Sequence, residues 1–286
     1  MVNSTRWNYL SYENRQTRSS PFLSFAAFLA LQLLAVLALI RYWFPWTWDQ
    51  HLASGIWTIF LTCLVCNFAI CFGEYFFHRY LLHLETVNFL SYFTMSHRRH
   101  HKITSIGFDD RTKKVRSNYA IDNVAKDEYA TFPSWALIPT FAAFTPFFAP
   151  MAFSFPEIPI LISGYTSITI ALFLYEAIHV LHHQTYETHW KERLNSRKFG
   201  VMWRAAYGFH QGHHANYQCN LNVAGFFGLP LADLVFSTYK QPNTLLVDGA
   251  SATKETARNL TPQAGWLIVW LDRVSFKRRR WMSKLN

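Results

Sequence analysis

Four uncharged, strongly apolar stretches punctuate the chain, at 21–40, 52–73, 129–156 and 158–175. Crossing the hydrocarbon core of a bilayer takes roughly 20 apolar residues, with a range of about 17–25. All four stretches are long enough. The third is broken by five prolines, and almost nothing separates it from the fourth. The pattern predicts spanning helices in two hairpins. The buried helices of a soluble core seldom bring four such runs together. Polar sequence fills the intervals. Residues 1–20 read as a polar tail, 75–128 and 177–240 as segments outside the bilayer, and 242–262 as a linker. The charged, aperiodic stretch 107–130 reads as a surface segment with one short helix. In the final segment, GWLIVWLDRVSFKRRRW, Trp266, Trp270 and Val274 recur at helical spacing ahead of a basic end. An interfacial helix and a helix packed on the body of the protein both fit. The domain reading is a tail at 1–20, a membrane domain at 21–240, and a linker with a basic C-terminal helix at 241–286.

Composition agrees with a membrane setting. The chain is 51% hydrophobic and only 15% charged, and 18% of it is aromatic, a class enriched where a bilayer meets water. Charge adds an orientation. Of the 27 Lys and Arg, all but Arg41 fall on one side of a four-span arrangement. The positive-inside rule makes that side cytoplasmic, with both termini there, in a bacterial inner membrane or the endoplasmic reticulum. The net charge of +10 then suits anionic lipid headgroups; no nucleic-acid-binding motif is visible. Cys63 and Cys66 have the spacing of a redox or zinc half-motif, but they lie inside the second apolar run and read as packing residues. Nothing in the placement of Cys63, Cys66, Cys71 and Cys219 suggests a disulfide framework.

The histidines change the picture most. Of thirteen, only His51 falls on the far side of the membrane. His78 and His83 form an H-x-x-x-x-H box just past the second run. Three H-x-x-H-H boxes follow: His97, His100 and His101; His179, His182 and His183; His210, His213 and His214. Residues three or four apart share a helix face, so such boxes can turn imidazoles toward one centre. A five-residue step converges if the helix is locally distorted or ending. Neutral imidazole is the commonest metal ligand, and this many histidines without a metal would each need separate hydrogen-bond partners. Ten donors exceed what one ion takes, so two ions are expected. Donor type alone does not choose between iron, zinc, copper and nickel. Glu74 and Glu176 precede His78 and His179 by four and three residues, and each is placed to accept the second ring N–H of that histidine. His189 stands apart and reads as a surface residue.

In order and spacing, these boxes resemble the fatty acid hydroxylase superfamily of membrane di-metal oxygenases, which includes sterol desaturases and carotenoid hydroxylases. The likeness runs from about Glu74 to Tyr239 and includes HQGHHANYQCNLNV followed by PLADLVFSTY. The resemblance implies an all-α integral membrane protein whose two hairpins carry a helical cytoplasmic cap over a di-metal centre. It implies two iron ions, with zinc as a possible substitute. The ligands would be His78, His83, His97, His100, His101, His179, His183, His210, His213 and His214, with His182 as an extra candidate. It also implies oxygen-dependent hydroxylation or desaturation of a lipid drawn from the bilayer. Electrons would come from a separate donor of cytochrome or ferredoxin type. A zinc-dependent membrane lipid hydrolase and a metal transporter or sensor are the alternatives. Against transport, no box lies inside a span, whereas transporters bind near the bilayer midplane.

Overall fold

The computed structural model describes residues 20–84, 86, 90–123, 126, 131–252 and 254–282; residues 1–19 of the expected polar tail lie outside this set. The described chain is mostly helical. Four helices are long and apolar enough to cross a membrane. They are α1 (Ser20–Trp43), α3 (Ile56–Phe77), α5 (Leu137–Ser154) and α6 (Ile160–His182). A short helix, α2 (Pro45–Ala53), joins the first two. It starts on a proline, whose fixed φ and missing N–H suit a first turn. It stops before Gly55, at φ 84, which swings the chain into α3.

The two hairpins differ in how they close. Helices α5 and α6 pack against each other, as their short connection requires. Helix α3 packs chiefly on α6 instead of on α1, and α6 also touches α1, so the fourth span is the centre of the bundle. Its residue choice explains this. Ser163 and Ser167 lie one turn apart and face α3. Their hydroxyls donate to the carbonyls of Ile59 (3.0 Å) and Cys63 (2.9 Å). Small hydroxylated residues let helix backbones approach where apolar burial gives no drive for association. Gly164 works on the adjacent side: a Cβ there would lie 2.5 Å from the Phe148 ring of α5. By contrast α1 keeps most of its apolar surface outward, as a lipid-facing helix does.

The remaining elements gather at the end of the bundle where α3 and α6 finish. Helix α4 (Ser91–Ile103) leads into strands β1 (Ile106–Asp109) and β2 (Lys114–Ser117), which pair antiparallel from Ile106↔Ser117 to Asp109↔Lys114. This hairpin is the departure from an all-α reading, and it falls where one short helix was expected. The turn chemistry accounts for it. Asp109 Oδ1 accepts the amides of Arg111 (2.9 Å) and Thr112 (3.1 Å), and Lys113 takes φ 55, a turn built by an aspartate bonding its own backbone. The expected linker at 242–262 is also packed. Val115 N–H donates to the Ala250 carbonyl (2.8 Å) and Ala252 N–H to that of Lys113 (2.9 Å), while Leu246 and Leu260 are buried under the ribbon beside Trp190 and Tyr207. Helices α7 (Lys191–Leu194), α8 (Gly200–Ala215), α9 (Leu231–Val235) and α10 (Lys254–Asn259) complete this end.

Helix α11 (Trp266–Met282) packs on the body of the protein along one face. Ile268 is fully buried against Cys71 and Tyr75 of α3. Trp266, Trp270 and Val274, on another face, remain exposed. Asp272 anchors the helix by accepting from Arg79 through both carboxylate oxygens (3.0 and 2.7 Å) and from the Tyr80 hydroxyl (2.9 Å).

Candidate metal centre

Each histidine box is placed by a specific local geometry. Past Phe77 the α3 helix widens into a π turn, His78–Leu82, closed by His83 N–H donating to the His78 carbonyl at 3.3 Å. A π turn bonds i to i+5 and often marks a functional site. Here it brings two histidines five apart onto one face. The second box ends α4, the third ends α6 and the fourth ends α8. Gly212 in the fourth box meets a spatial demand: a Cβ there would lie 2.8 Å from Asn220 Nδ2.

The boxes do not map one to a site. His78, His83, His97, His101 and His213 turn one nitrogen each toward a common point; His100, His179, His183, His210 and His214 do the same at a second. Within each group all the facing atoms lie within 4.8 Å of one another. On α4 the i,i+4 pair His97 and His101 serves the first cluster and His100 the second. On α8 the division is reversed: His210 and His214 serve the second cluster and His213 the first. The rings of His101 and His214 stack across the divide at 4.2 Å. Both clusters are buried, with His83 and His101 the two partly exposed members.

The spacings bear on what the clusters can hold. Nε2 atoms approach at 3.0 Å between His78 and His97 and between His101 and His97, and at 3.2 Å between His83 and His97 and between His83 and His213. In the second cluster His183 lies 3.1 Å from His100 and 3.2 Å from His210, and His214 lies 3.2 Å from His210. Nitrogens about 2.1 Å from one ion stand about 3.0 Å apart at right angles and about 3.4 Å apart at the tetrahedral angle. The observed contacts, 3.0–3.2 Å, lie between the right-angle value and the midpoint of the two.

Tautomers make the case sharper. The Nδ1 atoms of His78, His183, His213 and His214 face the backbone carbonyls of Leu221, Tyr119 (2.8 Å), Cys219 (2.8 Å) and Thr104 (3.1 Å). A carbonyl only accepts, so Nδ1 carries the proton and Nε2 presents a bare lone pair. Two members of each cluster therefore aim lone pairs into a buried point crowded with other ring nitrogens. A cation at that point relieves the repulsion. Burial, reinforced for most by neighbouring imidazoles, holds His83, His97, His100, His101, His183, His210 and His214 below the ordinary histidine range. Burial lowers His213 to about 4. These rings stay neutral at physiological pH, the form that binds a metal. The clusters can thus hold metal ions, and the residues present fit them.

Three expectations are revised. His182 stands outside both clusters: α6 stays regular to its end, so His179 and His183 share a face while His182 points about 100° away from His183. It stacks on the outer side of His210, at 5.2 Å between ring centres. Glu74 does not accept from His78. It accepts Asn222 Nδ2 (2.9 Å) and the amides of Ala224 (2.9 Å) and Gly225 (2.8 Å). Glu176 accepts the Phe132 amide (2.7 Å). At His78 the Leu221 carbonyl takes the role foreseen for Glu74. Glu74 still acts at one remove, because it pins the loop that follows Leu221, whose carbonyl orients His78. Asp233 pins the same loop from the other side through the amides of Leu221 (3.1 Å) and Asn222 (2.7 Å). His189 is half-buried and away from both clusters, and the four cysteines are free thiols.

One cleft reaches both clusters. It is lined by Tyr92, Ser96, His97, Phe132, Tyr175 and His179, among others. His97 belongs to the first cluster and His179 to the second. Tyr92, which lines it, is exposed, and so are Trp135, whose ring packs on that of Tyr92, and Ile138 at the start of α5. Comparison of the chain with family models, with curated proteins and with solved structures gives no match in any of the three.

Proposed function

We propose that this chain is a membrane-embedded di-iron oxygenase of the fatty acid hydroxylase type, which hydroxylates or desaturates an unactivated C–H bond of a lipid. The observation that carries the reading is the pair of buried five-histidine clusters, each with its ring nitrogens converging on one point. Five imidazoles per ion favour iron over zinc, whose structural sites close with four ligands at tetrahedral angles and whose catalytic sites use three. Bound in the clusters, a pair of iron ions would supply the redox chemistry that activates oxygen against a C–H bond. The chain's own residues supply position and environment. Leu221, Tyr119, Cys219 and Thr104 fix the ring orientations of four ligands, so the donors are held ready for the ions. The cleft between His97 and His179 admits an apolar chain from the bilayer past Tyr92, Phe93 and Phe132 and brings one carbon to the edge shared by both clusters. Holding the reacting atoms in line lowers the entropic part of the barrier. Burial of the histidines keeps the site from bulk water.

By the distribution of Lys and Arg, the histidine-bearing end and both termini face the cytoplasm. A reporter fused to either terminus is expected to read cytoplasmic. Electrons would then arrive from a separate carrier on that side. The deciding experiment combines metal analysis of the purified protein with lipid profiling by mass spectrometry. Two equivalents of metal, chiefly iron, are expected, together with an oxidised lipid that appears with the wild-type gene and disappears with His97→Ala. One ion per chain, or a lipid profile unaffected by the gene, refutes the proposal.

A further inference from the structure

A second cleft lies on a different side of the first cluster. Arg79, His83, Tyr217, Gln218, Asp272 and Phe276 line it. Among its lining residues only His83 is a cluster member, so this cleft meets one cluster where the lipid cleft meets both. Tyr217 roofs the histidine: the two rings stack with centres 5.2 Å apart and planes 24° apart. Tyr217 is itself 51% exposed. One ring thus runs from the molecular surface to a ligand of the first cluster. Phe276, from α11, is exposed on the rim. Arg79 is no free charge, because Asp272 pairs with it at 2.7 Å. Net positive charge beside the rim comes from Arg273, which α11 exposes one turn before Phe276.

We infer that this cleft is the docking site of a small acidic one-electron carrier protein, and that Tyr217 conducts its electrons through His83 into the first cluster. The inference rests on the di-iron reading above. An exposed aromatic centre beside a basic residue suits a weak, charge-steered encounter with an acidic partner. Electronic coupling falls steeply with the gap between donor and acceptor, and a ring stacked on a ligand shortens that gap. Each encounter oxidises the carrier's reduced centre by one electron and reduces one Fe(III) to Fe(II). Two encounters deliver the two electrons that the oxygenase cycle takes from outside, and no group or proton moves in the transfer. Tyr217 is a positioning residue: it acts through His83 and touches neither oxygen nor lipid. Lipid and electrons then reach the centre from separate sides.

The test uses full-length protein in nanodiscs and two acidic probes, a [2Fe–2S] ferredoxin and a soluble cytochrome b5 domain. Apoprotein binding is measured by titration at several salt concentrations. Reduction of the iron-loaded, oxidised protein is followed by stopped flow, with dithionite as the small-molecule comparison. At least one probe is expected to bind the apoprotein with an affinity that falls as salt rises, and Arg273→Glu is expected to weaken it at least tenfold. At saturating carrier, Tyr217→Leu should slow reduction tenfold or more while the iron content and the dithionite rate stay at wild-type values. Tyr217→Phe should restore the rate, since the ring and not the hydroxyl carries the path. A merely structural tyrosine would move iron content or the dithionite rate as well. Carrier-driven reduction that is indifferent to both Tyr217→Leu and Arg273→Glu overturns the port. Dithionite reduction without binding of either carrier to wild type overturns the partner. Failure of dithionite itself to reduce the loaded metal overturns the di-iron reading instead, so the two failures are told apart.

Discussion

His100 and His101 are neighbours in sequence, as are His213 and His214, yet each pair is divided between the clusters. This division supports a test in which the number of histidines removed stays constant. Replacing His100 and His214 together takes two donors from the second cluster, leaving three there and five in the first. Replacing His100 and His213 takes one from each, leaving four and four. Structural zinc sites with four ligands bind with about 10–16 kcal/mol, or about 3 kcal/mol per donor. At about 1.4 kcal/mol per tenfold, each lost imidazole weakens its ion about a hundredfold, and two lost from one site weaken it about ten-thousandfold. Against a graded series of chelator concentrations, the His100→Ala, His214→Ala protein is expected to lose one equivalent early and to hold the other as wild type does. The His100→Ala, His213→Ala protein should lose both in a single step at intermediate concentration. Metal content by mass spectrometry reads the outcome. If the two double variants release metal along the same curve, the partition of donors described here is wrong, whatever the total number of ions.

Three further expectations follow from the contacts. His182→Ala should leave two equivalents of metal in place and cost about 1–3 kcal/mol of stability through the lost packing on His210; loss of an equivalent would return His182 to the ligand set. Glu74→Ala strips the acceptor from the buried amides of Ala224 and Gly225, at about 1–3 kcal/mol for each group left unpaired. It should also weaken the first cluster's ion about 10- to 100-fold by loosening the Leu221 carbonyl, whereas unchanged metal affinity would sever the proposed link between that loop and His78. The third concerns pH in the metal-free protein. The folded-state values of the buried histidines lie below the ordinary one of about 6.5, so the unfolded chain binds more protons between the two. Stability is then fully present above about pH 6.5 and is lost as pH falls from there toward the depressed folded values, near 4 for His213. Thermal unfolding of apoprotein from pH 7.5 down to 5 reads this, and a flat profile would count against buried neutral rings.

The parts of the fold written in long apolar runs were legible in the sequence. All four spanning helices fall where hydropathy put them, and the histidine boxes fall at the ends of helices that point them inward. What escaped was everything decided by partners instead of by residue type. Spacing alone does not say that His100 leaves its own box for the other cluster, because that depends on the angle at which α4 crosses α8. Four of the cluster histidines, His78, His183, His213 and His214, turn Nδ1 to main-chain carbonyls, which any residue carries, so at His78 Glu74 drew attention that belonged to Leu221. The ribbon at Ile106–Ser117 was hidden by its charge, although Asp109 followed by Asp-Arg-Thr-Lys contains the turn. Stretch 242–262 resembled a linker because its apolar residues are isolated, and isolated leucines can still be anchors when a neighbouring strand receives them. The central place of α6 did have a trace, the small residues Ser163, Gly164 and Ser167.

The interleaving of the boxes also has a consequence for biosynthesis. A chain emerging from the ribosome presents His78 to His101 first and His179 to His183 much later. Until the fourth box is made, the first cluster lacks His213 and the second lacks both His210 and His214. Their supports come later still: the carbonyls of Cys219 and Leu221 orient His213 and His78. Neither cluster can reach its full donor set on a nascent fragment, however long the wait between hairpins. Tight metal capture is thereby deferred until translation has passed residue 221, when the spans that bring the boxes together have all been synthesised. A truncated product ending before residue 210 would carry every apolar run and most of the histidines, yet hold neither ion in a complete site.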